Sequence, residues 1–317
     1  MFTLPRPMLA LPAETLPAGP EWSYEVKWDG YRCLAEKDGP RVRLHSRNAA
    51  NFTTTYPDVA RAVAALRAMR VLLDGEIVAL GPDGRPSFQA LQHRRMAAPH
   101  LVVFYAFDVL TVDGRDLMRE SLATRRRILR QIVRGSALLL SDVLPGTPQA
   151  IEREVRALGL GGVIAKRVAS RYEAGQRSGA WTKVKFQVGQ ELVIGGFVPE
   201  GAGALDSLIV GYYEGARLLC AGKVRAGLNP VMRRDLCARL TPLQRTGCPF
   251  VNLPDNAKGR WGAGITADEM PAITWVRPQL VAAIAFNEWT RDHHLRHARF
   301  LGLRDDVRAK DVRRERH

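Results

Sequence analysis

The sequence has little of what would staple a chain together or anchor it in a lipid bilayer. Its four cysteines, Cys33, Cys220, Cys237 and Cys248, are scattered, and no C-x-x-C pair occurs among them. That spacing argues against a disulfide framework or a thiolate zinc site and fits reduced thiols in a cytoplasmic protein. No apolar run reaches the ~18 residues that a spanning helix needs, because even residues 101–110 are interrupted by Asp108. Five prolines in the first twenty residues break any signal-peptide hydrophobic segment. A soluble, non-membrane protein follows as the expectation.

Negative charge is also scarce. The 317 residues hold 47 Lys plus Arg against 32 Asp plus Glu, a net +15 with a pI of about 10.2. The excess is spread along the chain, with 28 basic and 18 acidic residues in 1–187 and 19 and 14 in 188–317. A basic surface is therefore expected instead of a basic tail, with a polyanionic partner, nucleic acid before membrane.

What remains is ordinary globular composition, with 46% hydrophobic residues and length for about two domains. Short apolar or alternating runs predict strands at 41–46, 71–80, 101–109, 162–165, 192–198, 207–213 and 217–224. Helical spacing predicts helices at 58–69, 122–133 and 151–158, and Asn229-Pro230 reads as the cap and first turn of a helix running to Leu240. Strands and helices mix up to about residue 187 and strands dominate afterwards, so a boundary is expected near 188–190.

The sharpest string is Lys27-Trp28-Asp29-Gly30-Tyr31-Arg32. It places a primary amine, a turn and a guanidinium within six residues. A lysine that attacks phosphorus must be neutral, so neighbouring cations or a metal have to work against its ordinary pKa of ~10.4. Five further strings follow in order: Ser46-Arg47-Asn48; Asp74-Gly75-Glu76 inside an apolar run; Phe104 to Asp108; Gly161 to Arg167; and Trp181 to Lys185. Lys183 and Lys185 flank Val184, so on a strand both point to one face. Arg125-Arg126-Arg127 reads as a solvated helix face able to graze phosphates. His293, His294 and His297 contain an i, i+4 pair that would suit zinc only on a helix.

Together these strings resemble the nucleotidyltransferase signature of ATP-dependent DNA ligases. The bacterial end-joining type is nearest, since its Pro-Met-Leu-Ala, its Gly-Gly-Phe strand and its closing string are matched at 7–10, 195–197 and 294–304. The resemblance implies an α+β nucleotidyltransferase (adenylation) domain over 1–187 and a mostly-β OB-fold domain with a C-terminal basic segment over 188–317. It implies a minimal two-domain core without a large N-terminal DNA-binding domain, closing as a clamp that rotates between ATP loading and sealing. ATP would be the nucleotide, with Mg²⁺ or Mn²⁺. Nicked or broken duplex DNA would be the substrate, joined at 5′-phosphate/3′-hydroxyl ends by a monomer in the cytoplasm at the nucleoid, with an end-binding repair protein as a further partner.

The resemblance also assigns roles. Lys27 becomes the lysyl-AMP nucleophile, and Lys183 and Lys185 contact the α-phosphate. Glu25 meets the adenine amino group and Phe107 stacks on the ring, while Lys166 lines the nucleotide site. Glu76 meets the ribose or the metal, with Asp29 as a second possible metal carboxylate. Arg32 and Arg47 bind nucleotide or the 5′-phosphate of the break, Arg296 and Arg299 bind DNA, and Arg304 reaches the outer phosphates of ATP. Two positions depart from the pattern. Gly161 stands where most relatives carry a metal-site glutamate, and Val307 stands where they carry a lysine, which together imply slower or more metal-hungry self-adenylation. Two rival readings share the residues: RNA ligation by the same chemistry, and a weakened homologue that only binds DNA nicks or ends.

Overall fold

A computed structural model describes residues 4–81, 84–86, 88–92, 101–186, 189–255, 264–290 and 292–315. The chain divides into two compact units, the first ending at Phe186 and the second beginning at Gln187. Gln187 and Val188, where the sequence-based boundary falls, lie outside the described residues.

The first unit runs β1 (Leu11–Pro12), β2 (Trp22–Val26), β3 (Tyr31–Asp38), β4 (Arg41–Ser46), α1 (Pro57–Ala64), β5 (Arg70–Leu80), α2 (Phe88–Gln92), β6 (Leu101–Val112) and β7 (Arg115–Asp116). It continues with α3 (Leu122–Val133), β8 (Leu139–Leu140), α4 (Pro148–Ala157), β9 (Gly162–Arg167) and β10 (Trp181–Lys185). Its strands form a four-stranded sheet in the order β1-β10-β9-β2 and a second sheet in the order β4-β3-β5-β6-β7, with β8 also on β6. Helices start where side chains satisfy free backbone donors. The Ser121 hydroxyl accepts from Thr124 N at α3, and Thr147 accepts from Ala150 N at α4, where Pro148 fills the first turn.

On one face of the four-stranded sheet, Tyr24, Val163, Ala165 and Val184 pack with Leu16 and with Ile151 and Val155 of α4. A second cluster gathers Met8, Leu34, Leu72, Phe107, Leu110, Tyr172 and Trp181, and so brings together side chains of both sheets.

The helix expected over 58–69 stops at Ala64. Leu66 stays buried beyond it, but Met69 is 63% exposed and its carbonyl accepts from Gly39 N in the β3–β4 turn. The apolar period continues past the helix because Leu66 packs from a turn. The pairing of β1 with β10 leaves no two-residue signal in the sequence.

The second unit contains β11 (Gly189–Gly201), β12 (Ala204–Glu214), β13 (Arg217–Val224), α5 (Pro230–Leu240), β14 (Thr274–Trp275), β15 (Val281–Ala285), β16 (Glu288–Trp289), β17 (Leu295–Arg296) and β18 (Arg299–Leu303). The sheet order is β13-β12-β11-β15-β18, and beyond β13 Ala226 bridges Arg299 of β18 in parallel, with Phe300 N donating to Ala226 O at 2.9 Å. That bridge closes a five-stranded Greek-key barrel of the OB type, with α5 between its third and fourth strands. Asn229 caps α5 by accepting from Met232 N. The barrel interior is apolar and includes Leu192, Ile194, Phe197, Leu208, Val210 and Phe300. Among the described residues no helix is long and apolar enough to cross a membrane.

Candidate active site

The register of the four-stranded sheet sets up the site. Lys183 of β10 lies opposite Ile164 of β9, which lies opposite Glu25 of β2. One row away Trp181, Lys166 and Ser23 are aligned in the same manner, and Lys185 is opposite Gly162. Residues directly opposite share a face, and alternate residues repeat it. Glu25, Lys166, Lys183 and Lys185 therefore project from one side of the sheet, while Tyr24, Val163 and Val184 turn to the core on the other. β2 ends at Val26, but Lys27 N donates to Gly162 O at 2.9 Å, which keeps Lys27 in the ladder beside the row of Lys185.

The turn after Lys27 depends on glycine. A Cβ on Gly30 would lie 2.1 Å from the Ile77 carbonyl oxygen, so no other residue lets Asp29-Gly30 pass this close to β5. The chain then enters β3, where Arg32 pairs across to Glu76 and Glu76 to Tyr105. The Trp28 ring stacks on Tyr105 with centroids 3.6 Å apart, and its indole Nε1 donates to Ser141 Oγ at 3.0 Å.

Arg32 grips Asp74 with Nε and Nη2 at 2.7 and 2.6 Å, and Nη2 also donates to the Met8 carbonyl at 3.0 Å. Burial alone would lower the Arg32 pKa, but the Asp74 carboxylate outweighs it and the value is raised. Asp74 is itself fully buried and accepts from Tyr172 Oη at 2.6 Å, while Met8 N donates to that hydroxyl at 3.0 Å. Arg47 lies in the turn that follows β4 and is half-buried.

Phe107 is buried and links the two sheets. The Arg32 guanidinium lies 4.8 Å and the Lys166 ammonium 4.5 Å from its ring centroid, and both cations also approach the Trp181 ring, at 5.6 and 4.4 Å. Contacts of this kind favour charge over an aromatic face. Lys166 is 2% exposed and pairs with Glu25 Oε1 at 2.8 Å. Burial lowers its pKa below the ordinary 10.5, with Glu25 acting in the opposite direction.

Sequence reasoning misjudged the arginine run on α3. Arg125 is fully buried and holds Asp108 through Nε and Nη2 at 2.7 and 2.9 Å; Arg126 is 6% exposed and donates to Glu25 Oε1 and the Ser141 carbonyl, each at 2.7 Å. Only Arg127 of the three faces solvent. Partners 17 and 101 residues away leave no local trace, so Arg126 and Ser141 were missed as neighbours of the site.

Gly161 has room for a side chain, since its Cβ would meet only the Lys27 carbonyl oxygen at 3.9 Å. Its neighbour Gly162 does not, with Val184 O only 2.2 Å from a Cβ there. Among the described residues no three His, Cys, Asp or Glu side chains converge as a metal cage. A hard divalent cation held by one or two carboxylates and by phosphate oxygens needs no such cage, and half-buried Glu76 and Asp29 are carboxylates of that type.

Arg296, Arg299 and Arg304 belong to the second unit. Arg296 pairs with Glu288 at 2.5 Å, Arg299 is exposed on β18, and Arg304 holds buried Asp306 through Nε and Nη2 at 2.8 and 2.7 Å. Val307 packs against the barrel core. His293 and His297 both have left-handed backbone, in turns of the β16–β17 region, so the helical pair that zinc would need does not form. His294 instead lies 3.3 Å from Asp255.

Residues 7–185 match the family model described as ATP dependent DNA ligase domain, and residues 201–307 match the ATP dependent DNA ligase C terminal region. The multifunctional non-homologous end joining DNA repair protein LigD of Mycobacterium tuberculosis is 38% identical over 299 residues, covering 93% of this chain and 38% of that protein. The chain thus spans well under half the length of this relative. A probable DNA ligase of Streptomyces griseus is 32% identical over 97% of this chain and 62% of its own length. Among solved structures, mycobacterial DNA ligase D complexed with ATP and MES superposes with a TM-score of 0.71 at 36% identity, covering 98% of both chains.

Proposed function

The chain belongs to the ATP-dependent DNA ligase family, and from that premise we propose that it seals 5′-phosphate/3′-hydroxyl breaks in duplex DNA through a covalent Lys27-AMP intermediate. One observation carries the reading. Lys27 sits at the end of a sheet face that also bears Glu25, Lys183 and Lys185, so a nucleophile, a base-reading carboxylate and two phosphate cations share one wall.

In the first step the Lys27 amine attacks the α-phosphorus of ATP; a P–N bond forms, the α–β P–O bond breaks and pyrophosphate leaves. The AMP then passes from Lys27 to the 5′-phosphate of the break, and the 3′-hydroxyl displaces it. Each step is an in-line displacement, for which the protein supplies alignment and charge neutralisation. Lys183 and Lys185 neutralise the α-phosphate from β10, and Arg32 and Arg47 border the phosphate path. Ile164, half-buried between Glu25 and Lys183, offers an apolar contact to the base, with Phe107 beneath. Glu76, with Asp29, would hold a divalent cation, Mg²⁺ or Mn²⁺, which when bound would add charge neutralisation at phosphorus. In the OB unit, Arg296 and Arg299 grip DNA backbone and Arg304 serves ATP loading.

The boundary of the two functional domains is placed at residues 187–188. The enzyme acts as a monomer, in the cytoplasm at the nucleoid, on breaks presented by an end-binding repair protein. Incubation with α-labelled ATP should label the wild type and leave Lys27→Ala unlabelled, and a nicked duplex should be sealed only by the former. Equal labelling of Lys27→Ala overturns the mechanism. Nick binding without AMP uptake or sealing overturns the activity.

A further inference from the structure

We propose that Arg126 is a positioning residue that sets nucleotide choice by fixing the Glu25 carboxylate for an incoming 6-amino purine. This rests on the reading of Lys27 and Glu25 above and adds to it a residue from a different element, α3.

Glu25 is 2% exposed and comes from the sheet face that carries Lys183. Burying a carboxylate away from water carries a large penalty unless cations and hydrogen bonds replace the solvent. Two cations do so here. Arg126 Nη1 donates to Oε1 at 2.7 Å, and Lys166 Nζ approaches the same oxygen at 2.8 Å. The two differ in what holds them. Lys166 reaches Glu25 on a flexible stem and is shared with the Phe107 and Trp181 rings. Arg126 is a planar fork locked at its other prong, since Nη2 donates to the Ser141 carbonyl at 2.7 Å.

Ser141 is a fixed point in its own right. Its N–H donates to the Ala106 carbonyl at 2.8 Å, next to Phe107, and its hydroxyl accepts from Trp28, the residue following Lys27. The Arg126 fork therefore ties the base-reading carboxylate, the strand of the stacking ring and the nucleophile's turn to one residue. Both cations hold Oε1, and on this proposal Oε2 is the oxygen that accepts from the base. A carboxylate oxygen held in that position accepts from an amino group and repels a carbonyl oxygen, so it separates adenine from hypoxanthine at the 6 position.

The probes are ATP and ITP, which differ in that group. Lysyl-nucleotide formation is measured with each for wild type, Arg126→Lys and Arg126→Met, together with thermal midpoints. In the wild type kcat/KM should favour ATP over ITP by about 100-fold or more, in line with sites that hydrogen-bond a polar substrate group. Arg126→Met should reduce that ratio by about tenfold, mainly through a higher KM for ATP, and Arg126→Lys should recover part of it. Should Arg126→Met fail to fold, the ratio in Arg126→Lys, expected to fall about threefold, decides. A purely structural arginine would lower the midpoint and leave the ATP:ITP ratio unchanged in both variants, and that result overturns the proposal. A wild type that takes up neither nucleotide overturns the underlying reading as well, so the two failures are told apart by the wild-type control.

Discussion

Arg125 and Asp108 meet in a two-pronged ion pair with neither side chain exposed to solvent, Nε on Oδ1 at 2.7 Å and Nη2 on Oδ2 at 2.9 Å. The third guanidinium nitrogen donates to the Glu120 and Ser170 carbonyls, so one arginine pins α3 to β6 and to the loop before Tyr172. Removing one member leaves the other charged and dry. Arg125→Met should cost about 3–5 kcal/mol, and the double change Arg125→Met with Asp108→Leu should cost less than the single one. Urea unfolding of the three proteins checks both statements.

Tyr172 relays between the N-terminal segment and the Arg32–Asp74 pair, accepting from Met8 N and donating to Asp74. Tyr172→Phe leaves Met8 N without this acceptor in a buried position and should cost about 1–3 kcal/mol. The same variant loosens the seat of Arg32, so the rate of AMP transfer to a 5′-phosphate should fall more than the rate of lysyl-AMP formation.

The two departures from the family pattern separate on packing. Gly161→Glu enters open space beside the Lys27 carbonyl and should leave the thermal midpoint nearly unchanged while speeding lysyl-AMP formation at limiting Mg²⁺. Val307→Lys has to carry an ammonium to a position packed on the barrel core and should lower the midpoint of the second unit. Gly30→Ala, with 2.1 Å to the Ile77 carbonyl, should abolish both activity and the native fold of the first unit.

Burial holds the Lys166 pKa below its ordinary 10.5, so the folded chain releases this proton at a lower pH than the unfolded chain does. Between the two values the unfolded state binds more protons, and stability from this group rises with pH across that window and is lost as pH falls through the folded value. Lys166→Met should remove that slope. Denaturant midpoints of wild type and variant, measured from neutral pH to about 10.5, should diverge steadily if the assignment is right and run parallel if it is wrong.

Salt should split the two roles assigned to the positive charge. Binding of nicked duplex through six or more phosphate contacts should weaken by about 10³ between roughly 50 and 200 mM salt. Formation of lysyl-AMP, which uses contacts sheltered between two sheets, should change far less. Filter binding and intact-mass measurement on one protein sample test the contrast.

Much of the site was legible in the sequence because its chemistry is local. Lys27 to Arg32 form one turn and the start of one strand, and Lys183-Val184-Lys185 is an alternation that any strand turns into two cations on one face. The helix at 122–133 was also legible, from its apolar stripe, and the structure adds the Ser121 cap. What those helical residues do was not. Three consecutive arginines read as solvated because composition carries no record of Asp108, Glu25 or Ser141 waiting elsewhere in the chain. Helix α1 ran too long for a related reason, since Leu66 is buried by tertiary packing after the helical hydrogen bonds have ended.

The two sheets of the first unit differ in how far their strands must travel to meet. β3, β4, β5 and β6 pair with near neighbours, all within residues 31–112. β2, however, pairs with β9, and β1 with β10, so these strand pairings wait for residues beyond 160, although β2 also has a bridge from Glu25 to Val143. As the chain leaves the ribosome, the meander can close while the strand bearing Glu25, with Lys27 at its end, still lacks any partner in its own sheet. The strand that leads to Lys27 thus completes its pairing after the meander, and a translation product stopped before β9 would hold the β3–β6 strands without the sheet partners of that strand.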